Sequence, residues 1–246
     1  MRIAFDLDGV LADLHTPFTE TAIRLFPELD RSAMRAADVA ASPADESLDI
    51  EAPGAAAMAG VPIGRRQSDA VWKHLTGVSD FWEGLAEIES GAIRRLAQLA
   101  DERRWDVLFI TSRPSSHGLT VQRQSQRWLE RMGFRLPSVY VVHGSRGRVA
   151  AALNLDVVID DRPDNCLDVV LESTAGAVLI WRGAQAAVPA SAKRLGIAVS
   201  PTVADCLDLV TEAEDTKSEG SLLDKMRRVF GLKTRKPPGI LRRTET

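Results

Sequence analysis

The sequence predicts a three-layer α/β fold: a parallel sheet covered by helices on both faces, with a small helical cap inserted after the first strand. From Ser90 onward, short apolar runs rich in Val, Ile and Leu alternate with segments whose apolar residues recur at helical spacing. The connections are a few residues long, which implies right-handed crossovers between parallel strands. The one long interruption follows the first strand directly, between residues 13 and 88. This gives a core from residues 1–12 and 89–210, a cap insert over 13–88, and a basic C-terminal tail over 211–246, helical in part or disordered.

Taken in order, Arg2–Phe5 reads as a short buried strand, and Asp6-Leu7-Asp8-Gly9 ends it. Asp13 or Thr16 caps a helix running to Phe26, with Phe18, Ala22, Ile23 and Leu25 on its apolar face and Pro27 as its stop. The stretch Asp30–Pro62 is rich in Ala, Ser, Pro and acidic residues, and helix is expected again over Gln67–Leu75. Ser90 is placed to cap a helix carrying Ile93, Leu96 and Leu99. Strands are expected at Val107–Ile110, Val139–Val142, Val157–Ile159 and Ala177–Trp181. Helices are expected at Leu119–Met132, Val149–Leu153, Asp164–Leu171 and Val203–Val210. Gly133 is placed to stop the second of the core helices.

Composition excludes several classes. Of the 246 residues 45% are hydrophobic and 26% charged, ordinary globular values, and a net charge of −3 gives no general attraction to nucleic acid. Cys166 and Cys206 make no disulfide framework and no metal-ligand spacing. No apolar run reaches about eighteen residues, and the N-terminus begins with a strand rather than a cleavable leader. A cytoplasmic setting is expected.

The predicted strand ends gather the chemistry. They carry Asp6 and Asp8, then Thr111-Ser112-Arg113, then the turn holding Arg146 and Arg148, then Asp160-Asp161. In an open parallel sheet, ligands sit outside the carboxyl ends of the strands, where strand order reverses. Two carboxylates one residue apart repel, so a cation or a shared proton belongs between them. Oxygen-only ligands suit Mg²⁺, which binds through few carboxylates, waters and substrate phosphate. A carboxylate can attack phosphorus, and a second carboxyl can give a proton to the leaving oxygen. A hydroxyl, backbone N–H groups and a fixed cation would stabilise the equatorial oxygens.

These motifs resemble the haloacid dehalogenase (HAD) phosphohydrolase superfamily: Asp-x-Asp, then Thr/Ser, then a cation, then an acidic pair. Ile110-Thr111-Ser112-Arg113-Pro114 and Ile159-Asp160-Asp161-Arg162-Pro163-Asp164-Asn165 resemble the 5′(3′)-deoxyribonucleotidase branch and its bacterial relatives, as does Phe81-Trp82 before Leu85 and Gly91-Ala92. The resemblance spans residues 2–182 and implies a Rossmann-like core. It implies Asp6 as nucleophile and metal ligand, and Asp8 as general acid/base, binding metal through its backbone carbonyl. Thr111 and Ser112 would bind the phosphoryl group, with Arg113 adding charge. It implies Asp161 as a direct Mg²⁺ ligand, with Asp160 behind it and Asn165 orienting that shell. Phe81 and Trp82 would either pack the cap or stack a nucleobase. The chain departs from the family in one respect: no Lys lies between Lys73 and Lys193. Arg148, or alternatively Arg146, must supply the cation, with a flatter head and a different reach.

The implied activity is Mg²⁺-dependent phosphomonoester hydrolysis through an aspartyl phosphate, on (deoxy)nucleoside monophosphates. Two alternatives stay open: another small phosphorylated metabolite, or a weakly catalytic phosphate- or partner-binding module. From Asp224 onward eight Lys/Arg face two acidic residues. The tail therefore suits an acidic partner, nucleic acid or an anionic membrane surface. A homodimer is also compatible with the sequence.

Overall fold

The computed structural model describes residues 1–30, 32 and 63–215. Strand β1 is Arg2–Asp6, β4 Asp106–Thr111, β5 Ser138–Val141, β6 Val157–Asp160, β7 Gly176–Ile180 and β8 Ala198–Ser200. All pair in parallel in the order β5-β4-β1-β6-β7-β8. The chain thus builds outward from β1 on one side and returns to build on the other, and β1 is the point of reversal.

Period-two alternation places these strands between two helical layers. Ile3, Phe5, Phe109, Val157, Ile159 and Val178 belong to one buried cluster. Ala4, Leu108, Ile110, Val158 and Leu179 belong to the other. Helices α3 (Ala92–Arg103), α4 (Val121–Met132) and α8 (Val203–Asp215) cover the first face through Ile93, Leu96, Trp128, Leu129, Cys206 and Leu207. Helices α5 (Arg146–Ala152), α6 (Pro163–Glu172) and α7 (Ala190–Leu195) cover the second through Ala150, Cys166, Val169 and Ala192.

Between β1 and β4 the chain leaves through β2 (Ala12–Asp13) and returns through β3 (Ala86–Glu87), which pair antiparallel. Helices α1 (His15–Leu25) and α2 (Arg65–Gly77) lie between them, joined by Phe18, Ala22, Val71, Trp72 and Leu75. The ring of Phe18 is 5.4 Å from that of Trp72. A 3₁₀ turn, Phe81–Glu83, precedes β3.

Several expectations are corrected. The sheet has a sixth strand, β8, which with α7 went unread because three residues carry too little pattern. Ser90 does not cap α3: the Glu87 carboxylate accepts the N–H groups of Gly91 and Ile93, both at 2.7 Å. The basic turn before Val149 is already helix, because the Ser145 hydroxyl caps α5 from Gly147 and Arg148 N–H. The boundary set for the tail at residue 211 falls inside α8, which runs on through Asp215. There Trp105 donates to Glu214 at 2.8 Å and Arg103 pairs with Asp215. The tail expectations beyond residue 215, and those for Asp30–Pro62 other than Asp30 and Ser32, lie outside the described residues. Among the described residues no helix is long and apolar enough to cross a membrane.

Candidate active site

Asp6 and Asp8 emerge at the carboxyl end of β1, each 8% exposed, while Leu7 between them points into the core. The backbone turns back at once, with Leu7 C=O accepting from Leu11 and Ala12 N–H at 2.8 and 2.7 Å. Gly9 takes φ +80°, and a Cβ there would overlap the Asp161 carboxylate. Glycine is therefore required twice over, by its backbone and by the neighbour it admits. Arg182, just after β7, donates to the carbonyls of Gly9 and Val10 and to Glu89. Glu89 in turn accepts Val203 and Ala204 N–H at the start of α8.

Asp8 is held by Arg113. Nε of Arg113 lies 3.0 and 2.9 Å from the two carboxylate oxygens and Nη2 lies 2.7 Å from Oδ1. Nη1 donates to Ser125 Oγ at 2.9 Å. Thr111 is buried beside this pair. Its hydroxyl accepts Arg113 N–H at 3.3 Å and donates to Asp8 Oδ2 at 3.5 Å.

The cation beside Asp6 is Arg146. Its Nη2 donates to Asp6 Oδ1 at 3.1 Å, its Nη1 to Val142 C=O at 3.2 Å, and its Nε is 3.7 Å from Asp160 Oδ2 without a hydrogen bond. The preference for Arg148 is overturned: its side chain is 82% exposed and pairs with Glu172 at 3.5 Å. The reason is helical geometry. Arg146 is the first residue of α5 and points back at the sheet, and two positions later the next side chain faces the opposite way.

The acidic pair places Asp161 at the cleft and Asp160 behind it, and differs from the expectation in what Asn165 holds. Asp160 is fully buried, accepting Arg162 N–H at 2.9 Å and Asn165 Nδ2 at 3.0 and 2.9 Å. Asn165 thus orients Asp160, not Asp161. Asp161 lines the cleft together with Asp6 and Asp8. Burial, then repulsion from Asp160, pushes Asp161 up to about 7, although Arg162 opposes the rise. Burial first and Asp160 second also raise Asp6 well above the ordinary carboxylate range, against the pull of Arg146. Burial raises Asp160 as well, against Arg146 and the Arg162 N–H.

The cleft is further lined by Leu14, Trp72, Trp82, Ser112, Arg113, Pro114, Arg146, Arg162 and Asn165. Ser112 and Arg146 reach it, whereas the Arg113 side chain lies against its wall with no accessible surface, committed to Asp8 and Ser125. Phe81 does not reach the cleft: it lines a separate groove with Asp13, Thr16 and Glu20. Trp82 is fully buried, with Arg113 Cζ 4.8 Å from its ring and Trp72 6.4 Å away. Neither residue of the pair is free as a stacking platform. Ser125, Arg182 and, as a site residue, Trp72 had not been singled out, and Arg162 had figured only within the Ile159–Asn165 motif. Their one common signal was position: each lies on a helix or loop facing a strand end.

The donors of the cleft suit a hard cation in one mode. Asp6 and Asp161 present carboxylate oxygens to the cleft, and burial first, then neighbouring carboxylates, raises both above the ordinary range. Among the described residues no three His, Cys, Asp or Glu side chains form a ready-made cage. Two carboxylates opening on one cleft are a donor set of the kind Mg²⁺ takes, with water and substrate phosphate completing its shell. Asp160 is not available to it, being committed to Asn165 and the Arg162 backbone.

No family model matches the chain, and no curated protein matches it. Solved structures do. A hydrolase from Pseudomonas syringae aligns at 16% identity over 89% of this chain and all of its own, with a TM-score of 0.46. A HAD-family hydrolase from Deinococcus radiodurans, with bound phosphate and sodium, aligns at 17% identity over 89% of this chain and 98% of its own, with a TM-score of 0.53. With its six-stranded parallel sheet and helices on both faces, the chain has the fold of a haloacid dehalogenase-family hydrolase.

Proposed function

We propose that the chain is a phosphomonoesterase working through a phospho-Asp6 intermediate. The observation that carries this reading is the setting of Asp6: buried at the reversal point of the sheet, 3.1 Å from Arg146, with Asp8 and Asp161 on the same cleft. An Asp6 carboxylate oxygen would attack phosphorus while the ester P–O bond breaks and Asp8 passes a proton to the leaving oxygen. Asp8 would then take a proton from water as that water's oxygen displaces Asp6, returning the carboxylate and releasing phosphate. Arg146 bridges Asp6 and Asp160 and places a fixed positive charge where the transferring group gathers negative charge. Asp6 and Asp161 would hold Mg²⁺, which when bound supplies charge neutralisation of the phosphoryl oxygens. The phosphate bound to the Deinococcus relative accords with this chemistry.

In its finer form the reading is a 5′(3′)-nucleotidase for (deoxy)nucleoside monophosphates, supported by the Ile110–Pro114 and Ile159–Asn165 motifs. Contact with a base would fall to Trp72 and Leu14, which line the cleft, since Arg113 and Trp72 flank Trp82. The test is a panel of 5′- and 3′-deoxyribonucleotides, ribonucleotides, sugar phosphates and 4-nitrophenyl phosphate, with Mg²⁺ and with EDTA. Activity should require Mg²⁺ and fall by about 10³-fold or more in Asp6→Asn. Retained activity in that variant excludes the covalent route. Sugar phosphates hydrolysed faster than every nucleotide would exclude the nucleotidase form alone.

A further inference from the structure

Arg113 is buried more deeply than a residue meant for substrate. Its side chain has no accessible surface, and its guanidinium donates to Asp8 on one side and to Ser125 on the other. Cζ lies 4.8 Å from the ring of Trp82 and 5.7 Å from that of Trp128. Both indoles are fixed: Trp82 Nε1 donates to Pro114 C=O at 3.1 Å and Trp128 Nε1 to Leu85 C=O at 2.8 Å. Trp82 N–H donates to Gln124 Oε1 at 3.1 Å. Trp82 also neighbours Trp72 of α2, 6.4 Å away between ring centroids, and Trp72 neighbours Phe18 of α1 at 5.4 Å.

A buried ion pair of this kind adds little net stability, because apolar residues of similar volume commonly do as well. What it supplies is geometry. A planar guanidinium stacked on an aromatic ring presents two donors to a carboxylate in one fixed plane, which a lysine cannot do. We propose that Arg113 is a positioning residue for proton transfer by Asp8. Wedged by Trp82 and Trp128, it fixes the Asp8 carboxyl in the orientation that serves the leaving oxygen. Through Trp82 and Trp72 it ties that orientation to the packing of α1 and α2 above the cleft. This inference rests on the phosphomonoesterase reading. In the step concerned, Asp8 carries the proton it takes from water in the hydrolytic half of the cycle, with Oδ1 still accepting from Arg113; its O–H bond breaks and the proton joins the ester oxygen. Meanwhile the electron pair of the P–O bond leaves with that oxygen, and a bond forms from phosphorus to Asp6.

The test compares an alkyl phosphate with 4-nitrophenyl phosphate, whose leaving group departs as a stable anion and needs less protonation. The measured quantity is kcat/KM, which covers the chemistry up to cleavage of the ester bond. Arg113→Met should cost the alkyl substrate about 100-fold or more and the aryl substrate about tenfold or less. Arg113→Lys should restore part of the alkyl rate. Ser125→Ala removes only the second anchor of the guanidinium, and should shift the alkyl-to-aryl ratio the same way by a few-fold with unchanged KM. If Arg113→Met does not fold, the Lys and Ser125→Ala variants carry the comparison alone. Equal losses on both substrates, or none, in folded variants of an active wild type would overturn the positioning role and leave the phosphatase reading standing. A wild type that hydrolyses no phosphate ester overturns both.

Discussion

Two arginines two positions apart in α5 have opposite fates, and this fixes what each substitution should do. Arg146 is 4% exposed and ion-paired to Asp6 and Asp160, whereas Arg148 lies in solvent beside Glu172. Arg146→Gln should lower kcat/KM for any phosphate ester by about 100-fold, the usual loss for a fixed charge at the transition state. Arg148→Gln should stay within about twofold. Steady-state kinetics on 4-nitrophenyl phosphate decides between them. Asp161 yields a prediction of sign. Its folded pKa of about 7 exceeds the ordinary aspartate value of 3.8, so the folded state binds the extra proton between those limits. Its stabilising contribution is complete below about 3.8 and is lost as the pH rises through about 7. In metal-free buffer Asp161→Asn should therefore melt above the wild type at pH 8, with the gap closing towards pH 4. Added Mg²⁺ should raise the wild type at pH 8 and leave the variant nearly unmoved. A gap that widens on acidification would reverse the assignment.

At the scale of elements, the placement of Arg146 depends on how closely α5 lies against α6. Gly147 makes that approach possible: a Cβ there would overlap Asp168 C=O and crowd Glu172. The obstruction is helix backbone, which cannot rotate away. Gly147→Ala should cost about 1–3 kcal/mol in denaturant unfolding. It should also lower activity, because the displaced residue adjoins the one that reaches Asp6. An unchanged unfolding midpoint would show that the two helices are free to part. The sequence carried the elements with long apolar periods, such as α4 from Thr120 to Gly133, almost to the residue. It failed where a few polar atoms decide. The start of α5 is set by the Ser145 hydroxyl, so the turn assigned to Arg146 and Arg148 was the first turn of a helix, and its two cations were exchanged. The cap of α3 comes from Glu87, a strand residue that local motifs do not connect to Gly91.

Across the whole molecule, chemistry and anchorage lie at opposite ends of the sheet. The carboxyl ends of β1, β4 and β6 carry Asp6, Thr111 and Asp160, and order reversal at β1 brings them together. That convergence was legible because four polar clusters recur at strand ends in chain order. Which arginine of α5 faces the cleft was not legible, because Arg146 and Arg148 differ only in where the Ser145 cap starts the helix. At the amino end of β4, Trp105 and Arg103 reach Glu214 and Asp215 in the last turn of α8, where Ala213 is buried. A chain ending after Val210 loses these contacts, whereas one ending after Asp215 keeps them. Losing the indole hydrogen bond and the buried Ala213 should lower the melting temperature of the shorter chain by about 4 °C relative to the longer. Their kcat/KM values at 25 °C should agree within about twofold, since nothing at the carboxyl end of the sheet has changed. Equal melting temperatures would mean that the last turn of α8 contributes no anchorage. A selective loss of activity would mean that the two ends of the sheet are coupled.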